Sequence, residues 1–196
     1  MKGAIVDPKL WFPTRKRTDK IRCIVLHWTA GVGDEQTFYN TLTRDKNSIH
    51  YYVKWTGEIW QMSDDASLCY HAGYVNPWTI GIEIQSPGYP SARQAQIERA
   101  RGVVRKEAKR EWMGRKAVRA LGFTAEQTAS VLQLVESLCK EHSIPRVIPK
   151  TWQLRQTKEW AESFSGVHGH CHVHETKDDP GPLIFEALLA AGFVAK

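Results

Sequence analysis

Histidine and aspartate are concentrated in one segment near the carboxyl end of the chain. Histidine occupies every second position, and two adjacent aspartates follow: His168, His170, His172, His174, Asp178 and Asp179. Because alternate residues of an extended strand share one face, we expect the four imidazoles to lie together. Imidazole nitrogens and carboxylate oxygens are ligands that zinc accepts, at roughly 2.0 to 2.2 Å. The segment therefore predicts a metal site, although histidine-rich surface loops give the same pattern.

A further candidate ligand, His27, lies far away in the sequence at the end of a predicted strand. Residues 21–28 read IRCIVLHW, with apolar residues on both alternating faces, as in a central strand covered on both sides. Open α/β sheets bind ligands beyond the carboxyl ends of their strands. A lone histidine there is also consistent with a hydrogen-bonded core residue. Together with the distant His and Asp segment, it would complete three protein ligands with an open fourth position, the arrangement of a catalytic zinc.

Other local patterns predict the elements that must position these residues. Residues 49–62, IHYYVKWTGEIWQM, indicate two strands joined by a turn at Thr56 and Gly57. Residues 78–85, WTIGIEIQ, place the isoleucines on one face of a strand and Glu83 on the other. A capping box beginning at Thr124 predicts a helix over residues 125–142, and a second helix is predicted over residues 183–191. This mixture indicates an α/β or α+β protein.

Length and composition are those of an ordinary water-soluble globular protein of one domain, with 196 residues, 42% hydrophobic and 24% charged. The longest nearly apolar stretch, residues 184–195, is far short of the roughly 20 residues that a membrane span requires. The amino-terminal residues lack the pattern of a secretory signal, so we expect a cytoplasmic protein. The four cysteines are far apart, and we expect free thiols rather than a disulfide.

The net charge of +6 comes from one segment of the chain. Between Arg93 and Arg119 there are ten Arg or Lys residues against three Glu. Residues 87–122 have the character of an insertion, which we expect to be helical in part. Such a segment favours nucleic acid, anionic lipid or a polyanionic polymer, although a solvated face has the same composition.

Five sequence segments, in this order, occur in a known enzyme family: VLHWTAG, SIHYYVKWTGEIWQM, YHAG, IGIEIQ and GHCHVHETKDDPGP. On these motifs the chain resembles the zinc-dependent N-acetylmuramoyl-L-alanine amidases of type 2, which include phage endolysins and muropeptide-recycling amidases and are similar to peptidoglycan recognition proteins. The resemblance covers residues 21–189, and residues 87–122 match poorly. It implies one catalytic domain over residues 1–196, with a mixed central β-sheet flanked by helices and a basic insertion after the IGIE strand.

The resemblance also implies roles for individual residues. His27, His170 and Asp179 match the zinc ligands. Glu83 matches the acidic residue that handles the attacking water, and Lys177 matches the basic group near the scissile carbonyl oxygen. Without the resemblance, a glutamate on the open face of a strand is more often merely solvated.

Four further residues are candidates for the substrate cleft. His50 and His71 match cleft-lining positions, where a structural role is an equal alternative. Trp28 and Tyr51 are aromatic residues that could flank a groove for sugar and peptide, although most aromatic residues belong to the core. Some phage members have a tyrosine where this chain has Ile49, which leaves the glutamate of IGIE as the main candidate base.

The second zinc ligand is ambiguous in the sequence, because three further histidines surround His170: His168, His172 and His174. We favour His170, since a Gly-His pair opens the motif and a metal geometry admits only one ring from this strand.

The implied reaction is hydrolysis of the amide between N-acetylmuramic acid and L-alanine in peptidoglycan. Zinc lowers the pKa of a bound water toward about 7 and polarises the carbonyl, while Glu83 accepts the water proton and Lys177 stabilises the oxyanion. The alternatives are a non-catalytic peptidoglycan-binding module and a cytoplasmic amidase that recycles anhydro-muropeptides. A specific nucleic-acid-binding protein is supported only by the basic segment, which contains no recognition motif.

For the endolysin-like protein we expect a monomer without a signal peptide, which acts on the cell wall after release from the cytoplasm. The cations between Arg93 and Arg119 would then steer it to polyanionic wall polymers or envelope lipids.

Overall fold

A five-stranded sheet forms the centre of the computed structural model, which describes residues 3–196. Its strands are β1 (Cys23–Trp28), β2 (Tyr51–Val53), β3 (Ile59–Gln61), β4 (Thr79–Ile84) and β8 (Gly166–Gly169). Their order is β3-β2-β4-β1-β8; β3 is antiparallel to β2, and all other neighbours are parallel. The predicted α/β class with a mixed central sheet is confirmed, as are the predicted strands around His27 and Glu83 and the predicted hairpin.

Six helices and two small two-stranded sheets complete the described residues. The helices are α1 (Glu35–Arg44), α2 (Ala92–Ala100), α3 (Ala125–His142), α4 (Lys158–Ser163), α5 (His170–Val173) and α6 (Leu183–Ala190). The small sheets are β5 (Glu107–Trp112) with β6 (Arg115–Leu121), and β7 (Val147–Ile148) with β9 (Val194–Ala195). Short 3-10 helices cover Pro8–Leu10 and Gly73–Trp78. Within residues 3–196, no helix has the length and apolar character needed to cross a membrane.

The two faces of the central sheet have different surroundings. On one face, Ile24, Leu26 and Ile82 pack with buried apolar residues of α3 and α6 in the main core. On the other face, Val25 belongs to a smaller apolar cluster with Ala72, Val75 and Ala161. The register aligns His27 of β1 with Glu83 of β4, at the carboxyl end of this second face. The sheet therefore holds these two side chains side by side.

The helix α3 begins and ends where its sequence predicts. Thr124 accepts a hydrogen bond from the Gln127 backbone, and the Gln127 side chain accepts one from the Thr124 backbone, which completes the capping box. The Gln127 side chain also donates to the carbonyl of Gln85, at 2.8 Å. The cap thus joins α3 to the segment that follows β4.

The basic insertion folds as α2 followed by the β5–β6 hairpin. The helical part was expected, but the hairpin was not, because charged residues occupy four of the six positions of β5 and three of the seven positions of β6. In these two strands only Ala108, Trp112 and Ala120 are buried, and they do not follow a regular two-residue alternation. The strands turn at Met113 and Gly114, both with positive φ, as a two-residue hairpin requires.

All four cysteines are unbridged, as predicted, and all four are buried. Burial raises the pKa of Cys23, Cys69 and Cys139 to about 11, and it raises the pKa of Cys171 well above its ordinary value. Thiolates form only at high pH in such surroundings, so these thiols pack as small apolar groups.

Candidate metal and catalytic site

Three side chains from distant parts of the sequence converge at the carboxyl end of β1. His27 Nδ1 lies 3.1 Å from His170 Nδ1 and 3.0 Å from Asp179 Oδ2. His170 Nδ1 lies 3.2 Å from the same carboxylate oxygen. All three residues are buried. The structure therefore brings together the three residues that the family resemblance implied as ligands.

The sheet and a short helix explain this convergence. Strand β8 runs parallel to β1 and aligns Gly169 with Leu26, so that the next residues, His170 and His27, extend from the same edge. The Cys171 backbone donates to the Asp179 carbonyl at 3.0 Å, which fixes the third ligand beside the first turn of α5.

The four histidines of the carboxyl-terminal segment do not share one face, and that expectation was wrong. Strand β8 ends at Gly169, and the following residues are helical, so the two-residue alternation of a strand is lost. His168 packs against Trp160 and Phe164 in the interior. His172 accepts from the Gly169 backbone and donates to the Trp152 carbonyl. The exposed His174 supplies no atom to the ligand cluster, although its ring makes an edge contact with His170, with 5.5 Å between centroids.

The donor set fits a zinc ion. Ligand atoms at the usual zinc distances lie roughly 3.3 Å from one another around a tetrahedron. The three donor atoms, two imidazole nitrogens and one carboxylate oxygen, are separated by 3.0 to 3.2 Å. The three buried donor atoms point at one another. A cation placed between them would therefore be coordinated by all three groups.

The protonation states of the cluster also suit a metal. Burial lowers the pKa of His27 to about 4, so that its imidazole is neutral near pH 7. Burial alone would raise the pKa of Asp179, but hydrogen bonds with His170 and His27 outweigh burial and lower it. A neutral imidazole and an ionised carboxylate are the forms that bind zinc.

Glu83 lies beside the cluster as the register of β1 and β4 requires. Its side chain lines the same cleft as His27, and its Oε2 atom is buried without a hydrogen-bond partner among the described residues. Burial, together with the negative charge of Asp179, raises the pKa of Glu83 well above 4.5, and Lys177 opposes the shift. A carboxylate with a raised pKa is suited to proton transfer near neutral pH.

The three candidate ligands line a cleft of about 390 Å³. Lys177, Trp28 and His71 also line it, as the sequence analysis implied. His71 Nδ1 lies 3.0 Å from His27 Nε2, the ring nitrogen opposite the donor atom. A partner at that nitrogen fixes the orientation of a metal-binding imidazole.

Two predicted cleft residues, His50 and Tyr51, lie elsewhere. His50 is fully buried below the cleft, where its Nδ1 accepts from the Gly81 backbone and its Nε2 lies 2.7 Å from the Arg17 guanidinium. Tyr51 aligns with Ile82, so it faces the main core, and its hydroxyl donates to Asp65 at 2.7 Å. Neither residue lines the cleft, and their observed contacts are with other parts of the fold.

The cleft contains one residue of the insertion, Tyr89, which the sequence analysis did not identify. Its ring makes an edge contact with Trp28, with 5.2 Å between centroids. Ligands bind beyond the carboxyl ends of parallel strands, and this rule applies to β4 as well as to β1. Tyr89 lies in the segment that follows β4, so the rule indicates that segment as part of the cleft.

Comparisons with known proteins show the family and the fold of the chain. A sequence profile described as N-acetylmuramoyl-L-alanine amidase matches residues 17–182. The structure is similar to the endolysin amidase LysCS from Clostridium intestinale (17% identity, 97% of this chain and 95% of that chain, TM-score 0.62). It is also similar to AmiD from E. coli (22% identity, 100% of this chain and 68% of that chain, TM-score 0.58).

A third similar structure is the endolysin of a Thermus scotoductus bacteriophage (17% identity, 93% of this chain and 90% of that chain, TM-score 0.53). At these identities the structural likeness shows a shared fold. No curated protein matches the chain.

Proposed function

The chain belongs to the type 2 N-acetylmuramoyl-L-alanine amidase family, and we propose that it is a zinc-dependent hydrolase of the amide between N-acetylmuramic acid and L-alanine. The proposal depends on the convergence of His27, His170 and Asp179 in a cleft beside Glu83. AmiD, which shares the fold, was solved with a substrate of anhydro-N-acetylmuramic acid and a stem peptide. That compound supports the same substrate class for this chain.

Five residues of the cleft have defined tasks in this proposal. His27 Nδ1, His170 Nδ1 and Asp179 Oδ2 would hold the zinc. When bound, zinc supplies a Lewis acid that activates water and polarises the scissile carbonyl. Glu83 accepts the proton of the attacking water and returns it to the leaving amine. The Lys177 ammonium stabilises the negative charge that develops on the carbonyl oxygen.

The other lining residues hold the substrate and orient the ligands. Trp28 and Tyr89 offer aromatic surface to a sugar ring or a peptide backbone. His71 keeps the His27 ring in the orientation that directs Nδ1 toward the other two donors.

We further propose that the biological substrate is the intact cell wall, reached after release from the cytoplasm as in an endolysin. The support is the cationic insertion, whose exposed lysines include Lys106, Lys109 and Lys116. Such a surface attracts polyanionic wall polymers or envelope lipids. A recycling enzyme would instead act on soluble anhydro-muropeptides.

Product analysis tests the reaction and the substrate together. Purified protein is incubated with intact sacculi and with soluble muropeptides, with and without a chelator, and the released ends are identified. We expect stem peptides with a free L-alanine amino terminus, loss of activity with the chelator, and recovery with zinc. New reducing sugar ends would contradict an amidase, cleavage of soluble muropeptides alone would indicate recycling, and binding without cleavage would indicate a non-catalytic module.

The histidine-rich segment offers a matched pair of variants. His170→Ala should abolish zinc binding and activity, because it removes one of three donors. His174→Ala should retain both, since this exposed residue of the same segment lies outside the cluster. Zinc content is measured by elemental analysis of dialysed protein. Equal zinc content in the two variants would rule out the assigned ligand set.

A further inference from the structure

The insertion, residues 87–122, binds the loop that carries the third candidate ligand. This ligand loop, residues 174–180, includes Asp178 immediately before Asp179. The Tyr89 hydroxyl donates to Asp178 Oδ2 at 2.5 Å. The Arg115 guanidinium lies 2.5 Å from the same oxygen and donates to the Tyr89 hydroxyl at 3.0 Å. Two residues of the insertion therefore hold one carboxylate of the ligand loop.

The main chain of the ligand loop is held as well. The indole of Trp112, at the end of β5, donates to the Asp178 carbonyl at 2.8 Å. Trp112 is fully buried and packs against Phe185 of α6, so this donor belongs to the rigid core. On the other side, the Arg155 guanidinium donates to the Lys177 carbonyl at 3.0 Å. The loop is thus fixed from two directions, and one of them is the insertion.

Asp178 and Asp179 are adjacent carboxylates that both line the cleft, yet only one takes part in the ligand cluster. The Asp178 carboxylate is occupied by Tyr89 and Arg115, whereas Asp179 Oδ2 contacts the two histidines. Without those contacts, the two neighbouring carboxylates could compete for one cation. The insertion therefore contributes to the choice of the aspartate that is presented to the histidines, together with Arg155, which lies 3.8 Å from Asp178 Oδ1, and the Cys171 backbone, which donates to the Asp179 carbonyl.

We propose that the insertion is a positioning device for the metal site, and that Arg115 is a positioning residue that acts through Asp178. The insertion keeps Asp179 directed at His27 and His170. Through Trp112, it also holds the main chain at Asp178, the residue that follows Lys177. The role of the held residues as zinc ligands rests on the proposed function.

The ion pair between Arg115 and Asp178 should affect the geometry of the metal site more than the free energy of unfolding of the whole protein. The Arg115 side chain is 53% exposed, so its ion pair contributes little to the free energy of unfolding. The Asp178 side chain is only 18% exposed and adjoins a candidate ligand. Removing the guanidinium should therefore loosen the ligand geometry without unfolding the hairpin.

Arg115→Ala tests the proposal, with Arg119→Ala as the matched control. Both arginines lie in β6 and lose the same charge, but Arg119 pairs with Glu107 of the hairpin itself, at 2.6 Å. The zinc dissociation constant is measured by competition with a chromophoric chelator, and kcat and KM are measured on a soluble muropeptide. We expect Arg115→Ala to weaken zinc binding about tenfold and to lower kcat with KM nearly unchanged. Arg119→Ala should retain parental values.

A double substitution tests whether Arg115 acts through Asp178. In an Asp178→Asn background, Arg115→Ala should weaken zinc binding by much less than it does alone, because the shared contact is already lost. Tyr89→Phe removes only the hydroxyl. It should also weaken zinc binding, but by a smaller factor than Arg115→Ala does. If the double variant instead showed the product of the two single effects on the zinc dissociation constant, Arg115 would not act through Asp178.

The outcomes separate this inference from the proposed function. Equal zinc affinities for Arg115→Ala and Arg119→Ala in an enzyme that cleaves muropeptides would overturn the positioning role and leave the function intact. A selective loss of zinc affinity in Arg115→Ala, in a protein that cleaves neither sacculi nor soluble muropeptides, would support the positioning role and contradict the function. Absence of zinc binding by the parental protein would overturn both.

Discussion

At the scale of single residues, Glu83 differs from the two aspartates of the cleft in its hydrogen bonding. Asp178 and Asp179 each have partners for their charged oxygens, whereas Glu83 has a buried oxygen without one among residues 3–196. A desolvated, unpaired carboxylate is unstable in its charged form, which is why its pKa is raised. That instability makes Glu83 a strong proton acceptor positioned next to the candidate metal ligands.

Glu83→Gln should separate catalysis from metal binding. The amide cannot accept the water proton, so we expect hydrolysis to fall by about 10² to 10⁴, while the zinc content stays at the parental level. Rates on a soluble muropeptide and zinc by elemental analysis provide the two measurements. A parental rate in this variant would mean that another group is the base.

The raised pKa of Glu83 also predicts the pH dependence of the parental enzyme. The reactive form is ionised, so activity should fall as the pH decreases through the pKa of Glu83, which burial and Asp179 raise and which bound zinc, like Lys177, would lower. The residual activity of Glu83→Gln should lack this acid limb. The pH profiles of kcat/KM for the two proteins, recorded with zinc in excess, provide the comparison.

At the scale of elements, local patterns were predictable and sheet register was not. The bounds of α3 follow from its cap and its apolar spacing, which lie within one segment. The placement of Tyr51 depends on its alignment with Ile82 of another strand, which nothing in the local sequence specifies. The alternating histidines also do not predict the change from strand to helix after Gly169. Because of that change, only His170 of the four histidines supplies an atom to the cluster.

The convergence of the candidate ligands was predictable because whole motifs carry them in a fixed order. His27, Glu83 and His170 each lie at or just beyond the carboxyl end of a strand, where the general rule for α/β sheets places ligands. The contribution of the insertion was not predictable, since Arg115 meets Asp178 only through the tertiary fold.

The glycine of the IGIE motif gives a prediction for strand β4. A Cβ atom on Gly81 would lie 2.4 Å from Ile49 Cδ1 and 2.7 Å from His71 Nδ1. Gly81→Ala should therefore displace His71 from His27, destabilise the fold by about 1 to 3 kcal/mol and weaken zinc binding. Urea unfolding and chelator competition measure the two effects.

Gly31→Ala is the control for that substitution, because its added Cβ would meet only the Thr29 carbonyl oxygen, at 3.8 Å. If both alanine variants bound zinc equally well, close packing at Gly81 would have no role in orienting the imidazoles.

At the scale of the whole molecule, part of the insertion's positive charge is neutralised internally and part faces solvent. Four arginines of the insertion form ion pairs with carboxylates: Arg105, Arg110, Arg115 and Arg119. The lysines Lys106, Lys109 and Lys116 are exposed and form no ion pair with any described residue. Arg93, Arg99 and Arg101 are likewise exposed and form no ion pair with any described residue, so attraction to a polyanion would come from these three arginines together with the three lysines.

Binding to sacculi should consequently weaken as salt rises, because exposed charges are screened over about 8 Å at physiological ionic strength. Replacing Lys106, Lys109 and Lys116 with glutamine should reduce both the binding and its salt dependence. Turnover of a soluble muropeptide serves as the control and should respond little to the triple substitution. Pelleting assays at several salt concentrations measure the binding, and salt-independent binding would refute steering by these cations.

Buried histidines predict sensitivity to acid. Burial lowers the pKa of His50 and His168 to about 3 and that of His172 to about 4. Below the ordinary value of 6.5 the unfolded chain therefore binds protons that the folded chain does not, so stability falls as the pH decreases from 6.5 toward 4.

Each of these histidines should lower the free energy of unfolding by up to about 1.4 kcal/mol per pH unit in that range. Urea unfolding of chelator-treated protein at pH 7 and pH 5 measures the change. Equal free energies of unfolding at the two pH values would contradict neutral, buried imidazoles.

The four buried cysteines have a practical consequence for experiments on this protein. Native protein should resist maleimide reagents, whereas unfolding would expose every sulfur to alkylation, so the rate of labelling reports on opening of the fold. A single cysteine introduced on the β5–β6 hairpin would then be the preferred point of attachment for a fluorophore. Such a dye could follow movement of the hairpin during turnover without removal of any natural thiol.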